Sequence, residues 1–485
     1  MLFRQIPDPK LAQYAYLVGC QQTGEALVLD PERDIDRYLA LAAEEGLRVT
    51  HVAETHIHAD FLSGAAALAD AAGARLFLSA EGEDAGWGSN WAKGRGDVTF
   101  LRDGDTFRVG NIEVRAVHTP GHTPEHLSYF VTDHGGGAAS PMGLVSGDFV
   151  FVGDLGRPDL LESAAGEAGA HEPAAQALYT SVQRFLGFDD QIQVWPGHGA
   201  GSACGKALGA VPQSTVGYER AYNGAIDAAR RGEAVFVANI LDAQPEPPLY
   251  FGRMKQQNRD GVPPLAALPT PHALAPAELA DLAAAGLGDA VMIDTRADRS
   301  AFMASHLAGS LYSPLDRQFN TTVGLYVTDP ATPLVLVLPE AQVAEAVRDL
   351  IRIGYDRIAA YATYETLAAV LQDGGGASIP EVGFEAVRDR EPGAAVLDVR
   401  REAEFAAGHV PGAANAAHTR LAARLGDVPG GSPLYVHCQS GVRSAVASAF
   451  LAREGHDVTY VNDAFPHYRE IADDVEMEAR TEATA

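Results

Sequence analysis

Short apolar runs, rather than long amphipathic ones, mark the N-terminal half of the chain. Residues 14–18 and 26–29 flank a turn. Val98–Leu101, Thr106–Val109 and residues 112–117 are separated by Asp-Gly and Gly-Asn pairs, the punctuation between strands. Helical patterns cover residues 31–45 and the Ala-rich stretch 63–72. Strand meanders packed with helices predict an αβ sandwich rather than a simple strand–helix–strand series.

From Pro245 to Pro276 the texture changes, and proline recurs throughout PEPPLYFGRMKQQNRDGVPPLAALPTPHALAP. Such a backbone is not expected to sustain a helix or a central strand, which predicts a linker or surface arm over 246–276. Beyond it lies an internal repeat. Val291-Met-Ile-Asp294-Thr-Arg296 with His306-Leu-Ala-Gly309 matches Val396-Leu-Asp398-Val-Arg400 with His409-Val-Pro-Gly412. Pro333-Leu-Val-Leu-Val-Leu338 matches Pro433-Leu-Tyr-Val-His-Cys438. Each copy runs strand, helix, strand, helix over about 100 residues, the pattern of a parallel-sheet α/β domain. The expected organisation is therefore α/β multidomain: 1–245, an arm at 246–276, and duplicated domains at 277–375 and 376–478.

A length of 485 residues accommodates these parts, each with its own core. The net charge of −28 repels phosphate backbones and anionic lipid, so neither nucleic acid nor a membrane is an expected partner. No stretch approaches the ~18 apolar residues of a membrane span and the start carries no signal-peptide core, so a cytoplasmic protein is expected. Cys20, Cys204 and Cys438 are too few for a disulfide framework and fit a reducing compartment. Cys20 follows an apolar run and reads as packing. Compact acidic enzymes are often symmetric, and a homo-oligomer is expected.

Nine of the sixteen histidines precede residue 200. In Glu54-Thr-His56-Ile-His58-Ala-Asp60-Phe61 two imidazoles at i and i+2 of an extended segment project to one side, joined by a carboxylate. Thr119-Pro-Gly-His122, Val145-Ser-Gly-Asp148 and Trp195-Pro-Gly-His198 each set a donor beside a glycine after an apolar run, where the backbone can turn toward a shared site. Such a set of His/Asp elements predicts a bound metal. The order resembles the metallo-β-lactamase superfamily over roughly residues 1–245 and implies its αββα sandwich. In the two-metal hydrolases of that family, such as glyoxalase II, one ion takes His56, His58 and His122, the other takes Asp60, the residue at 61 and His198, and Asp148 bridges them. Here residue 61 is Phe, which has no lone pair to donate, so a dinuclear zinc site loses a ligand.

The persulfide dioxygenase branch of the superfamily uses one Fe(II) per chain. By position its ligands are His56, His122 and Asp148, a face that leaves positions open for substrate, dioxygen and water. His58, Asp60 and His198 then orient those ligands or hold waters. Arg157, in a stretch resembling that branch after the metal Asp, either holds an anionic substrate group or pairs with Asp159. Cys204, in a Gly-rich loop six residues after His198, is either a substrate-side thiol or an inert small residue.

Val436-His-Cys438-Gln439-Ser440-Gly441-Val442-Arg443 joins an apolar strand to an Ala-rich helix. A loop of this length aims backbone N–H groups and the helix dipole at the sulfur, which stabilises an anionic persulfide. Arg443 adds charge or anchors the loop. With Asp398-Val-Arg400 and Gly408-His-Val-Pro-Gly-Ala413 the segment resembles rhodanese-type sulfurtransferases, and the Cys-x4-Arg spacing is shorter than the Cys-x5-Arg cradle of related phosphatases. In the first copy Leu338-Pro339 replaces the cysteine, so that copy reads as a scaffold or docking domain.

Together these resemblances imply a persulfide dioxygenase with rhodanese activity. A low-molecular-weight thiol persulfide and dioxygen yield sulfite and thiol, and Cys438 forms or uses thiosulfate. A zinc-dependent thioester hydrolase of the glyoxalase II type with an attached sulfurtransferase is the alternative. A sulfur carrier with a vestigial metal site is a third reading, opposed by the intact donor set.

Overall fold

Strands that are apolar on every residue must be covered on both faces, and the N-terminal unit meets this demand with two sheets. In the computed structural model, which describes residues 1–164, 166–374, 376–472 and 476, the chain divides into Met1–Leu268 and, apart from Ile351–Gly354, the residues from Pro269 onward. The expected domain limits at 375 and 478 lie outside the described residues.

Leu2–Asp8, Gln13–Cys20, Glu25–Leu29, Arg48–Ala53, Arg75–Ser79 and Val98–Leu101 form one six-stranded sheet in chain order. Thr106–Val109, Ile112–His118, Leu127–Asp133, Gly143–Gly147, Gln193–Pro196 and Ser214–Thr215 form the other. Their facing sides interdigitate through Val18, Leu27, Phe77, Val114, Tyr129 and Trp195. The outer face of the first packs on Asp36–Glu44 and Ala65–Ala72, and that of the second on His171–Phe185, Gly224–Arg230 and Glu233–Leu241. This is the αββα sandwich.

Two expectations of helix placement change. The helix foreseen over 31–45 begins only at Asp36. Asp30 takes a left-handed φ of 52° and its carboxylate accepts from the Thr55 N–H (2.7 Å) and hydroxyl (2.9 Å), which commits the following residues to bracing the histidine loop. The arm expected to be free of helix contains Phe251–Asp260. Its prolines bunch at 245–248 and 263–264, leaving a proline-free interval whose buried Phe251, Met254, Lys255 and Asn258 fall on one helical face.

The C-terminal unit holds two five-stranded parallel sheets of equivalent order. The first runs His272–Ala273, Ile358–Ala362, Leu334–Val337, Val291–Asp294, Leu311–Tyr312. The second runs Glu381–Val382, Val458–Val461, Leu434–His437, Ala395–Asp398, Ala414–Asn415. Asp294 pairs with Val337 as Asp398 pairs with His437, which sets Leu338 and Cys438 at the same topological position. No helix among the described residues is long and apolar enough to cross a membrane.

Candidate functional sites

Loops at the strand ends of the sandwich bring His56, His122 and Asp148 together, all buried, with donor atoms within 4.8 Å of one another. Nε2 of His56 and His122 lie 3.8 and 3.6 Å from Asp148 Oδ2. The tautomers follow from the other ring nitrogens. His122 Nδ1 donates to the Arg157 carbonyl (3.0 Å). His56 Nδ1 meets the Thr55 hydroxyl (2.9 Å), whose own proton goes to Asp30, so Nδ1–H is the donor. Both Nε2 lone pairs are left facing Asp148, and His122 Nε2 and Asp148 Oδ2 are buried without a hydrogen-bond partner among the described residues. Burial, opposed by Asp148, lowers His122 to about 3, and burial together with His58 and His122 depresses His56. Two neutral imidazoles and an oxygen of one carboxylate are the donor set a metal ion requires. Orphaned buried donors fit that role, because without a cation they are costly.

Asp148 is held from behind. His198 Nδ1 contacts its Oδ1 (2.7 Å) and His198 Nε2 contacts Asp60 Oδ2 (2.8 Å). Burial would lower His198, but Asp148 and Asp60 raise it to about 10, so it stands as an imidazolium between two carboxylates. The Asp148 N–H donates to His126 Nε2 (3.0 Å), and His126 is fixed by Thr119 (2.8 Å). Gly147 allows this approach: it has φ 53°, and a Cβ there would sit 2.7 Å from His126 Nε2. His58 turns toward Glu54 (2.9 Å) and Asp30 (3.3 Å). Burial opposes its charge, but these carboxylates raise its pKa well above the ordinary value. The Phe61 ring packs 4.3 Å from the His58 ring.

Cys204 is buried, with its Sγ clustered with Asp60 and His198. Burial, then the Asp148 and Asp60 charges, push the thiol well up. Arg157, offered by the sequence to a substrate anion, grips Asp159 through Nε (2.8 Å) and Nη2 (2.6 Å) and the Ala203 carbonyl (3.0 Å) through Nη1. Its guanidinium is spent on bracing the Cys204 loop, which corrects the substrate assignment in favour of the Arg–Asp pair. The sequence pattern singled out neither His126 nor helix Phe251–Asp260, whose Asn258 donates to the His58 (2.8 Å) and Phe61 (2.7 Å) carbonyls. The apolar period between the proline clusters was the available signal.

In the second repeat Cys438 lies at the base of its loop, 1% exposed, where the Ser444 hydroxyl contacts Sγ (3.4 Å). Gly441, at φ 82°, makes the turn into helix Val442–Arg453, and Gln439, Ser440 and Val442 point outward, exposed. Arg443 pairs on both nitrogens with Glu404 (2.6 and 2.7 Å), so it anchors the loop. The Tyr460 hydroxyl donates to the Gly441 carbonyl (2.8 Å). The first repeat reaches the same loop: Arg299 donates to the Ser440 carbonyl (3.3 Å). The Tyr326 ring lies tilted 4.9 Å from that of Phe450, and burial, then the Cys438 charge, raise its hydroxyl pKa well above the ordinary value.

A family model described as Metallo-beta-lactamase superfamily matches residues 8–198, and one described as Rhodanese-like domain matches residues 385–470. The chain is 27% identical over 202 residues to Persulfide dioxygenase ETHE1, mitochondrial, of Bos taurus, covering 41% of this chain and 68% of that protein. It is 34% identical over 190 residues to a Hydroxyacylglutathione hydrolase of Polaromonas sp., covering 38% of this chain and 61% of the enzyme. The crystal structure of a Metallo-beta-lactamase from Staphylococcus aureus subsp. aureus COL is similar at 38% identity and a TM-score of 0.65, over 75% of this chain and 98% of that one. The chain spans between 45% and 68% of the length of the first curated relatives it matches. It belongs to the metallo-β-lactamase superfamily and carries a C-terminal rhodanese-like domain.

Proposed function

We propose that this chain is a persulfide dioxygenase with an attached sulfurtransferase, holding one ferrous ion at His56, His122 and Asp148. The observation that carries the reading is the convergence of His56, His122 and Asp148, with His122 Nε2 and Asp148 Oδ2 orphaned, near a residue 61 whose ring donates no lone pair. Bound iron supplies activation of dioxygen, which side chains do not provide. The residues do the rest. Thr55 and the Arg157 carbonyl hold the two imidazoles in their ligating tautomer, and His198 with His126 fixes the carboxylate. Cys204, beside Asp60 and His198, is the thiol we assign to the substrate side of the centre.

The overall conversion is R–S–SH + O2 + H2O → R–SH + SO3²⁻ + 2 H⁺. At the second site the Cys438 thiolate attacks the outer sulfur of thiosulfate. The S–S bond pair leaves with sulfite, and a Cys438 persulfide remains, in a step that is reversible. The likeness to the bovine persulfide dioxygenase supports this reading. The likeness to the Polaromonas hydrolase supports the zinc thioester reading, against which Phe61 speaks.

Metal analysis of the purified protein, paired with an oxygen electrode and a low-molecular-weight persulfide, is the test. One iron per chain and persulfide-dependent oxygen uptake are expected, both lost in Asp148→Ala. Two zincs per chain and thioester cleavage without air overturn the reading.

A further inference from the structure

Helix Phe251–Asp260, tied to the loop that supplies His56, carries a buried charged group for which the reaction above has found no use. Lys255 is 2% exposed, and its Nζ has no hydrogen-bond partner and no ion pair among the described residues. It lies 5.0 Å over the ring centroid of Trp87, whose own N–H is spent on Glu167 (3.0 Å). An aromatic face attracts the ammonium but accepts none of its N–H bonds. A buried cation left in that state is a costly placement unless something else meets it.

The helix holds it there. Asn258, one turn on, bonds to the backbone of His58, Phe61 and Ser63, so Lys255 is fixed to the same loop that supplies His56. Its charge is felt by the residues of the centre: burial lowers its proton affinity, while Glu125, Cys204, Asp148 and Glu167 raise it. In return it disfavours protonation of His56 and His122. Glu125 accepts from the Ile57 N–H (2.7 Å) through one oxygen, and its other oxygen is buried without a partner among the described residues, so the two groups lie unpaired with one another.

We propose that Lys255 is the anion-recognition residue of the metal centre, its ammonium receiving the anionic terminal sulfur of the persulfide and the sulfite formed from it. The inference rests on the dioxygenase reading and sharpens it, because a persulfide and sulfite bring this cation an anion, with which its hydrogen bonds are stronger than with a neutral acceptor.

The test uses the full-length, metal-loaded protein with Lys255→Met, which keeps the stem over Trp87, and Lys255→Arg. Calorimetric titration with sodium sulfite reads binding without turnover. An affinity loss of about ten-fold or more is expected in K255M, with iron content unchanged and K255R within about three-fold of wild type. Persulfide-dependent oxygen uptake should lose kcat/KM by a similar factor, chiefly through KM. Sulfite affinity and KM equal to wild type in K255M overturn the inference. So does loss of iron from K255M, which would make Lys255 a support of the loop. Should K255M not fold, K255Q carries the same comparison. A wild type that takes up no oxygen with any persulfide defeats the dioxygenase reading instead, and the sulfite titration still decides the role of Lys255.

Discussion

In the repeat that lacks a cysteine, Asp294 takes the Arg296 guanidinium on both oxygens, and Arg296 also bonds the Ser305 carbonyl (2.9 Å). In the repeat that has one, Asp398, Arg400 and the Gly408 carbonyl (2.7 Å) do the same. His306 stacks on Phe302 at 4.2 Å and His409 on Phe405 at 3.8 Å, and each ring bonds the carbonyl four residues back. The Asp-x-Arg and His-x-x-Gly elements are thus braces of the fold, kept where no thiol is present. What separates the copies is one loop. After Leu334–Val337 the buried Leu338 leads into Pro339 and a short 3-10 turn, Glu340–Gln342. After Leu434–His437, Cys438 sits in a loop turned by Gly441 and tied down by Arg443 and Glu404. Where Glu404 is the third residue of its helix, the first copy has Ala301. The braces recur in both copies and so do not distinguish them; the loop does, and on the proposed function it is where sulfur transfer would take place.

The largest effect should come from making the second copy resemble the first. Cys438→Ser is expected to abolish sulfur transfer from thiosulfate, a loss of about 1000-fold or more, while persulfide-dependent oxygen uptake survives. Equal loss of both in steady-state assays would refute separate sites. Leu338→Ala should cost about 2–5 kcal/mol of stability, because it empties a buried position, and leave transfer per folded molecule unchanged. Denaturant unfolding alongside the transfer assay checks this, and selective inactivation would contradict a thiol-free scaffold. Glu404→Gln removes the partner of Arg443 and should loosen the loop by about 1–2 kcal/mol, seen as faster hydrogen exchange over 438–443 but not over 338–343.

The smallest effect is the acid response of the same pair. Burial would raise Glu404, but Arg443 holds it below the ordinary 4.5. Its folded value lies below its unfolded one, so its contribution is present above 4.5 and is lost as the pH falls through the folded value. Protection of 438–443 should therefore drop on acidification in the wild type, and this acid-dependent drop should be absent in Glu404→Gln, which has no such group to titrate.

Much of this was legible in the chain. The strand runs stood out because burial on both faces demands unbroken apolar residues, and the duplicated copies because their braces recur in order. The helix at 251–260 was hidden by counting proline across a window in which proline is clustered at the ends. His126, Ser444 and Lys255 were not distinguished because nothing adjacent in sequence marks them: His126 acts on Asp148 from 22 residues away, and Ser444 acts across the turn of its own loop.

Residue identity alone determined the chemistry within reach: which groups donate lone pairs, where a ring replaces an imidazole, and which copy owns a thiol. Availability was decided by the tertiary structure. Arg157 and Arg443 carry the charge expected of them, yet carboxylates have already claimed both, whereas His122 Nε2, Asp148 Oδ2 and Lys255 Nζ are buried with no hydrogen-bond partner among the described residues. A side chain brings its donors and acceptors from the sequence, but whether they are free depends on neighbours that only folding brings near, in an interior where an unmet polar group is costly.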